Sequence, residues 1–159
     1  MEVGHPYFRA TRRQFEHVCQ SLGLAPMIVE VSAAGELSGA IAQLKRQHAQ
    51  ALVVGVGSFV WDHGREIVDA ATKQRLPTMT EDSQFARQAG ALIAYSRSQV
   101  EHDRLLAEYV DRILRGATPA DLPVRQPTKF ELVINLKTAR DLGLTIRKEL
   151  LLRADEIIQ

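Results

Sequence analysis

The passage Tyr109-Val-Asp-Arg-Ile-Leu-Arg-Gly116, followed by Pro119-Ala-Asp-Leu-Pro-Val-Arg-Gln-Pro127, constrains this chain more than any other. Its first half has helical spacing, and Gly116 stands where such a helix ends in the left-handed conformation that glycine adopts at low cost. Pro119, Pro123 and Pro127 can neither continue a helix nor donate to a sheet ladder, so they define an extended, ordered crossover. A short apolar strand, Phe130 to Asn135, follows. A rigid passage of this kind carries a chain between two packed bodies.

The remainder alternates helix and strand. Phe15, Val18, Cys19 and Leu22 mark one face of a helix from about Arg9, stopped by Gly23. Pro26-Met-Ile-Val-Glu-Val31 is a compact β-branched run that predicts a buried strand. Ser32 is a candidate N-cap for a helix with Leu37, Ala40, Ile41 and Leu44 on its inward stripe. Ala51 to Val56 has the continuous apolar character of a strand covered on both faces. Gly57 to Asp62 is expected as the loop after it, with a helix to about Gln74. Leu76 to Thr80 and Ala91 to Tyr95 are further strands, separated by a short helix that Asp82 can cap. Ser98-x-x-Glu101 is a capping-box pattern opening the long helix to Arg115. A short helix ends at Gly143, and a last helical stretch spans Leu150 to Ile158. This order predicts an α/β fold, a parallel sheet flanked by helices. Nothing strand-like precedes the first helix, so the sheet is expected to lack an element.

At 159 residues, with 45% hydrophobic and 25% charged content and net charge +1, the chain can bury a core and has no basic surplus for nucleic acid. Cys19 has no partner for an intrachain disulfide and reads as a buried thiol. The apolar run Ala51 to Trp61 is far shorter than the roughly 20 residues a membrane-spanning helix needs. Met1 to Pro6 lacks the basic and apolar regions of a signal peptide. Taken as written the chain reads as cytoplasmic, or as part of a longer exported protein.

Ligands of open parallel sheets bind beyond the carboxyl ends of the strands. That rule selects His5 to Tyr7, Gly57 to Asp62, Thr80 to Ser83 and Tyr95 to Ser98. Their hydroxyls, acids and rings suit a small polar or zwitterionic solute with an apolar part. The ligand-contact candidates are Ser58, Trp61, Ser83 and Tyr95. The competing assignment packs Phe59 and Trp61 under a loop and spends the hydroxyls on helix caps. Gly55-Val-Gly-Ser-Phe59 lacks the spacing of a nucleophile elbow or a phosphate loop. Asp62 and His63 are sequence neighbours, which does not align them as an acid–base pair, and the five histidines show no metal-ligand spacing. No catalytic residue, cofactor or metal is expected.

Gly90-Ala-Leu-Ile-Ala-Tyr95, Tyr109 to Ala117, Pro119 to Ala139, Leu142 to Ile146 and Leu152 to Ile158 together resemble the end of a bacterial ABC-transporter substrate-binding family, the one related to tryptophan- and tyrosine-type amino-acid binders. The resemblance implies a two-lobed type I periplasmic binding fold that closes on a solute, with the first lobe largely missing here. It implies three regions: 1–97 as the second ligand-binding lobe, 98–135 as the crossover helix and returning segment, and 136–159 as the carboxyl-terminal segment. Tyr95 to Ser98 and the region from Lys129 to Asn135 would be hinge crossings. The implied partners are a small-molecule solute and a membrane permease, with a periplasmic or extracytoplasmic parent. Where this family commonly has Tyr-Gly-Pro-Asn, this chain has Tyr95-Ser-Arg-Ser98, and Arg147 stands where proline is common. A cytoplasmic ligand-sensing domain of the same fold is the alternative function, and a hydrolase-like enzyme a more distant third. Leu106, Tyr109, Val110, Ile113 and Leu114 would be partly uncovered without the first lobe, which favours self-association.

Overall fold

The computed structural model describes residues 6–55 and 57–159, with side chains from residue 11 onward. Five strands form one sheet in sequential order: β1 (Leu52–Val54), β2 (Thr78–Thr80), β3 (Ile93–Arg97), β4 (Phe130–Asn135) and β5 (Glu156–Ile158). The helices are α1 (Pro6–Ser21), α2 (Leu37–Arg46), α3 (Ser58–Lys73), α4 (Gln99–Leu114), α5 (Leu136–Leu142) and α6 (Lys148–Leu151), with a π-helical turn at Phe85–Ala89. Residues 1–5, and with them the His5 candidate, lie outside the described residues, while Pro6 and Tyr7 open α1 instead of a loop.

The core forms because the predicted stripe of α2 and an apolar face of α3 pack together over the sheet. Leu37, Ile41 and Leu44 of α2 pack with Val60, Ile67 and Ala71 of α3 around Val54 and Leu76. Val68, one position round α3, joins Ala86, Ala94 and Val133 in a second cluster that carries the core across to β4. Cys19 is buried as expected, although Val18 and Leu22, read as sharing its helical face, are exposed.

The sheet is mixed where a parallel one is predicted. β1, β2 and β3 run parallel, and so do β4 and β5, but β3 and β4 pair antiparallel over Ile93↔Ile134 to Arg97↔Phe130. The cause lies in the crossover. The chain leaves the sheet at the end of β3, makes α4 and the proline passage, and re-enters at the same end, so the returning strand must run backwards. Ser98 N–H donates to the Lys129 carbonyl at 2.9 Å and closes this excursion at its neck. Glu101 also holds the neck. Its carboxylate accepts from Lys129 N–H at 2.8 Å and from the Thr128 hydroxyl at 3.2 Å, so it is not spent on the expected capping box. The Ser98 side chain makes no cap bond.

Three other expectations change. Pro26 to Val31 carries no ladder among the described residues; Val29 and Val31 line an apolar cavity of about 110 Å³ with Leu52 and Val54. Leu150 to Ile158 is one turn of helix and then β5, because Asp155 bonds Leu132 twice: through its carboxylate at 2.8 Å and its N–H at 2.9 Å. Ser32 is not a side-chain cap; Glu36 instead accepts from Ser32 N–H at 3.0 Å and Ala33 N–H at 3.3 Å.

α4 stands apart energetically. None of its residues is buried, and Leu114 is 81% exposed. It is held to the crossover by polar contacts: Arg125 to Glu108 at 2.8 Å and the Tyr109 hydroxyl to the Pro123 carbonyl. Gly116, at φ 97°, ends the helix as predicted. Since Leu114 buries so little in this structure, Leu114→Glu is expected to change stability by less than about 0.5 kcal/mol. Gly64 is the opposite case, because a Cβ there would lie 2.0 Å from the Phe85 ring. Gly64→Ala is expected to cost about 1–3 kcal/mol through overpacking. Urea denaturation of the two variants checks both.

Candidate functional site

An open cleft of about 690 Å³ lies at the end of the sheet where β2 and β3 finish and β4 begins. Its position follows from the topology: the carboxyl ends of parallel strands, beside the neck of the excursion. Trp61, Tyr95 and Phe130 supply its apolar wall and are 50%, 49% and 49% exposed. Tyr95 and Phe130 come from the two paired crossings and stack at 5.5 Å between ring centroids, with 15° between their planes. Large rings left half in water at a concave surface are available to a ligand.

Trp61 is on the first turn of α3, since Ser58 to Asp62 is helical where a loop is predicted. Its ring lies 5.5 Å from Phe85, and Phe85 in turn occupies the space that Gly64 leaves open. The orientation of Trp61 therefore depends on a glycine one turn further along its own helix.

Behind the rings lies a polar floor. Arg87 donates through Nε and Nη2 to Glu156 at 2.9 and 2.7 Å and through Nη1 to Ser83 Oγ at 2.8 Å, while Glu131 lies 3.6 Å from Nη2. The hydrogen bond to Glu156 raises the Arg87 pKa above its ordinary value against a smaller opposing effect of burial, and the charges of Glu156 and Glu131 add to the rise. The guanidinium is thus charged at every working pH, and it ties the π-helical turn to β4 and β5. Ser83 is buried and engaged as an acceptor, which leaves its own hydroxyl hydrogen for another group.

The cleft therefore gathers three of the four predicted contacts, Trp61, Ser83 and Tyr95, while Ser58 is exposed at the start of α3 outside the lining. It also contains residues not predicted as contacts. Phe130 reads from the sequence as a plain strand residue, although it stands at the second crossing. Arg87 sits on a short helix with no motif. Ser96 is 6% exposed and its Oγ has no hydrogen-bond partner among the described residues. His63 Nδ1 lies 3.5 Å from Glu66 and makes no acid–base pair with Asp62. Among the described residues no three His, Cys, Asp or Glu gather as a metal site.

A cleft of this kind, at the carboxyl ends of parallel strands in an α/β sheet, is where such folds bind small ligands. The chain belongs to the ABC transporter substrate binding protein family, whose model matches residues 8–158. This is a binding family, usually extracytoplasmic, and not a family of enzymes. No curated protein matches the sequence. Among solved structures, a conserved domain protein of Vibrio cholerae O1 biovar El Tor superposes with TM-score 0.86 at 19% identity, over 98% of this chain and 52% of that one. An ABC domain from Streptococcus pneumoniae in complex with L-Trp gives 0.83 at 21% identity, over 94% and 50%. The ligand-free, open structure of a substrate binding protein with adhesive properties from Clostridium difficile gives 0.72 at 15%, over 99% and 52%. The chain thus spans about half the length of the structures it matches. Among the described residues no helix is long and apolar enough to cross a membrane.

The Arg87 network makes a stability claim. Arg87→Ala leaves Glu131 and Glu156 without their shared cation. The loss is expected to be about 1 kcal/mol, held to that size because the side chain is partly solvated. Lower urea midpoints for Arg87→Ala and, to a lesser degree, Arg87→Lys check it.

Proposed function

We propose that this chain provides one ligand-binding lobe of an ABC importer's solute-binding protein, taking up a small amino-acid-like solute outside the cytoplasm for delivery to a membrane permease. One observation carries the reading: three half-exposed aromatic rings converge on a cleft beside the crossings of β3 and β4. Such rings would lie against the apolar body of the solute. Ser83 would meet its polar head. Ser58 would reach it only at the rim.

In this reading residues 1–97 belong to the lobe, 98–135 hold the crossover helix and the returning segment, and 136–159 close the sheet. The unburied face of α4 is then the surface that meets a further body of the protein, and the two crossings at Ser98 and Lys129 are where a hinge would turn. A complex with L-Trp in a structure of the same fold supports an amino acid with an aromatic side chain as the first solute to try.

A solute that binds only the folded chain raises its melting temperature in proportion to the logarithm of concentration. Aromatic amino acids are expected to produce such a shift. Trp61→Ala and Tyr95→Ala are each expected to weaken it at least tenfold in apparent affinity while costing only about 1 kcal/mol of stability, the usual worth of one aromatic pair. Shifts that survive both substitutions would move the site away from this cleft.

A further inference from the structure

The helix that carries Trp61 is not one continuous rod. His63 stands in α3 with φ −117° and ψ 15°, outside the helical range, so the first turn, Ser58 to Asp62, is set at its own angle to the body that runs on to Lys73. Helix kinks have identifiable local causes. Here Gly64 follows His63, and the Phe85 ring fills the volume that any Cβ at position 64 would take. Phe85 is a wedge against the kink.

The wedge is fixed independently of the turn it supports. The Phe85 carbonyl accepts from Ala91 N–H at 3.0 Å, the neighbouring Ala86 carbonyl accepts from Asn135 Nδ2 at 3.2 Å, and Arg87 is held by Ser83 and Glu156. Arg65, just past the kink, donates to the Gln88 carbonyl at 2.9 Å, so the body of α3 is clamped to the same π-helical turn. The first turn of α3 meets this assembly through rings, with Trp61 5.5 Å from Phe85 and 47° between their planes. Phe59 and Val60 of that turn line the apolar cavity of about 110 Å³, so it also borders free volume. A turn placed between a wedge and a void keeps its position only while the wedge is there.

We infer that Phe85 sets the shape of solute the cleft accepts, as a positioning residue that acts through Trp61. Wedged at the kink, it holds the indole as a fixed flat wall of the cleft that Tyr95 and Phe130 share, and the cleft therefore favours a planar ring over a puckered one of the same carbon skeleton. Phe85 itself does not line the cleft. A fixed ring stacks well against a flat partner, whereas a loose one loses that gain to the cost of being ordered. The inference rests on the solute-binding reading above and assigns the shape preference that reading leaves open.

L-Phenylalanine and L-cyclohexylalanine carry the same charges on the same skeleton and differ in the flatness of the ring. Their affinities for the 159-residue chain are measured by calorimetry. L-Phenylalanine is expected to bind at least about fivefold more tightly, the worth of one stacked aromatic contact. Phe85→Leu is expected to bring the ratio below about twofold, and Phe85→Tyr, which keeps the ring, to preserve it. Trp61 is the chain's single tryptophan, so its fluorescence reports the wall directly. In Phe85→Leu without solute, acrylamide quenching is expected to rise and anisotropy to fall. Leu142→Ala, a buried site in α5, controls for general loss of stability and is expected to lower the melting temperature while leaving ratio and fluorescence unchanged. If Phe85→Leu does not fold, Phe85→Met takes its place. A ratio near one in the unsubstituted chain, a ratio or fluorescence that survives loss of the Phe85 ring, or an equal change in Leu142→Ala overturns the role of Phe85 and leaves the solute-binding reading standing. Binding of neither amino acid to the unsubstituted chain overturns both.

Discussion

The structure depends on the antiparallel pairing of β3 with β4. Without it, β1 to β3 would be a three-stranded fragment with an open edge, and β4 and β5 a separate two-stranded one. The pairing exists because the chain returns to the end of the sheet it left, and the bonds from Ser98 to Lys129 and from Lys129 to Glu101 fix the place of return. Everything on the far side of that neck, α4 and the proline passage, can change its surroundings without unravelling the sheet. Everything on the near side is locked to it. The cleft lies at this boundary, where Tyr95 and Phe130 stack across the paired strands.

Much of this was legible in the sequence. The helices announced themselves by apolar period, and Gly116 and the prolines located the excursion correctly. What local pattern could not convey was pairing. Pro26 to Val31 has a more strand-like composition than Glu156 to Ile158, yet among the described residues only the latter is a strand, where Asp155 clamps it to Leu132. β-propensity describes fit to a half-buried pleated surface, and that surface is supplied from elsewhere in the chain. The site shows the same division. Trp61, Ser83 and Tyr95 follow strand ends in sequence and could be picked out by the rule for parallel sheets. Ser96 lies in the segment Tyr95 to Ser98 that the same rule selects, whereas Arg87 and Phe130 reach the cleft only through the Ser83–Arg87 bond and the Arg97↔Phe130 register, which are tertiary facts.

Gly64 shows how the fold's packing determines the quality of the site. Phe85 occupies the volume where a Cβ on residue 64 would be, and Trp61 leans on Phe85. The ring that faces solvent is thereby held by a contact made in the core, and it need not be buried to be ordered. A Trp kept in one orientation loses little freedom when a solute arrives, which is where binding energy is otherwise lost. The opposite wall uses a different device for the same end, since Tyr95 and Phe130 order each other by stacking across the strand pair. The two walls are therefore tied to different parts of the molecule: the Trp61 wall to the α3 core, and the Tyr95–Phe130 wall to the crossing strands. Each wall thus keeps its own internal geometry, so the surface can be preorganised on both sides without one wall depending on the other.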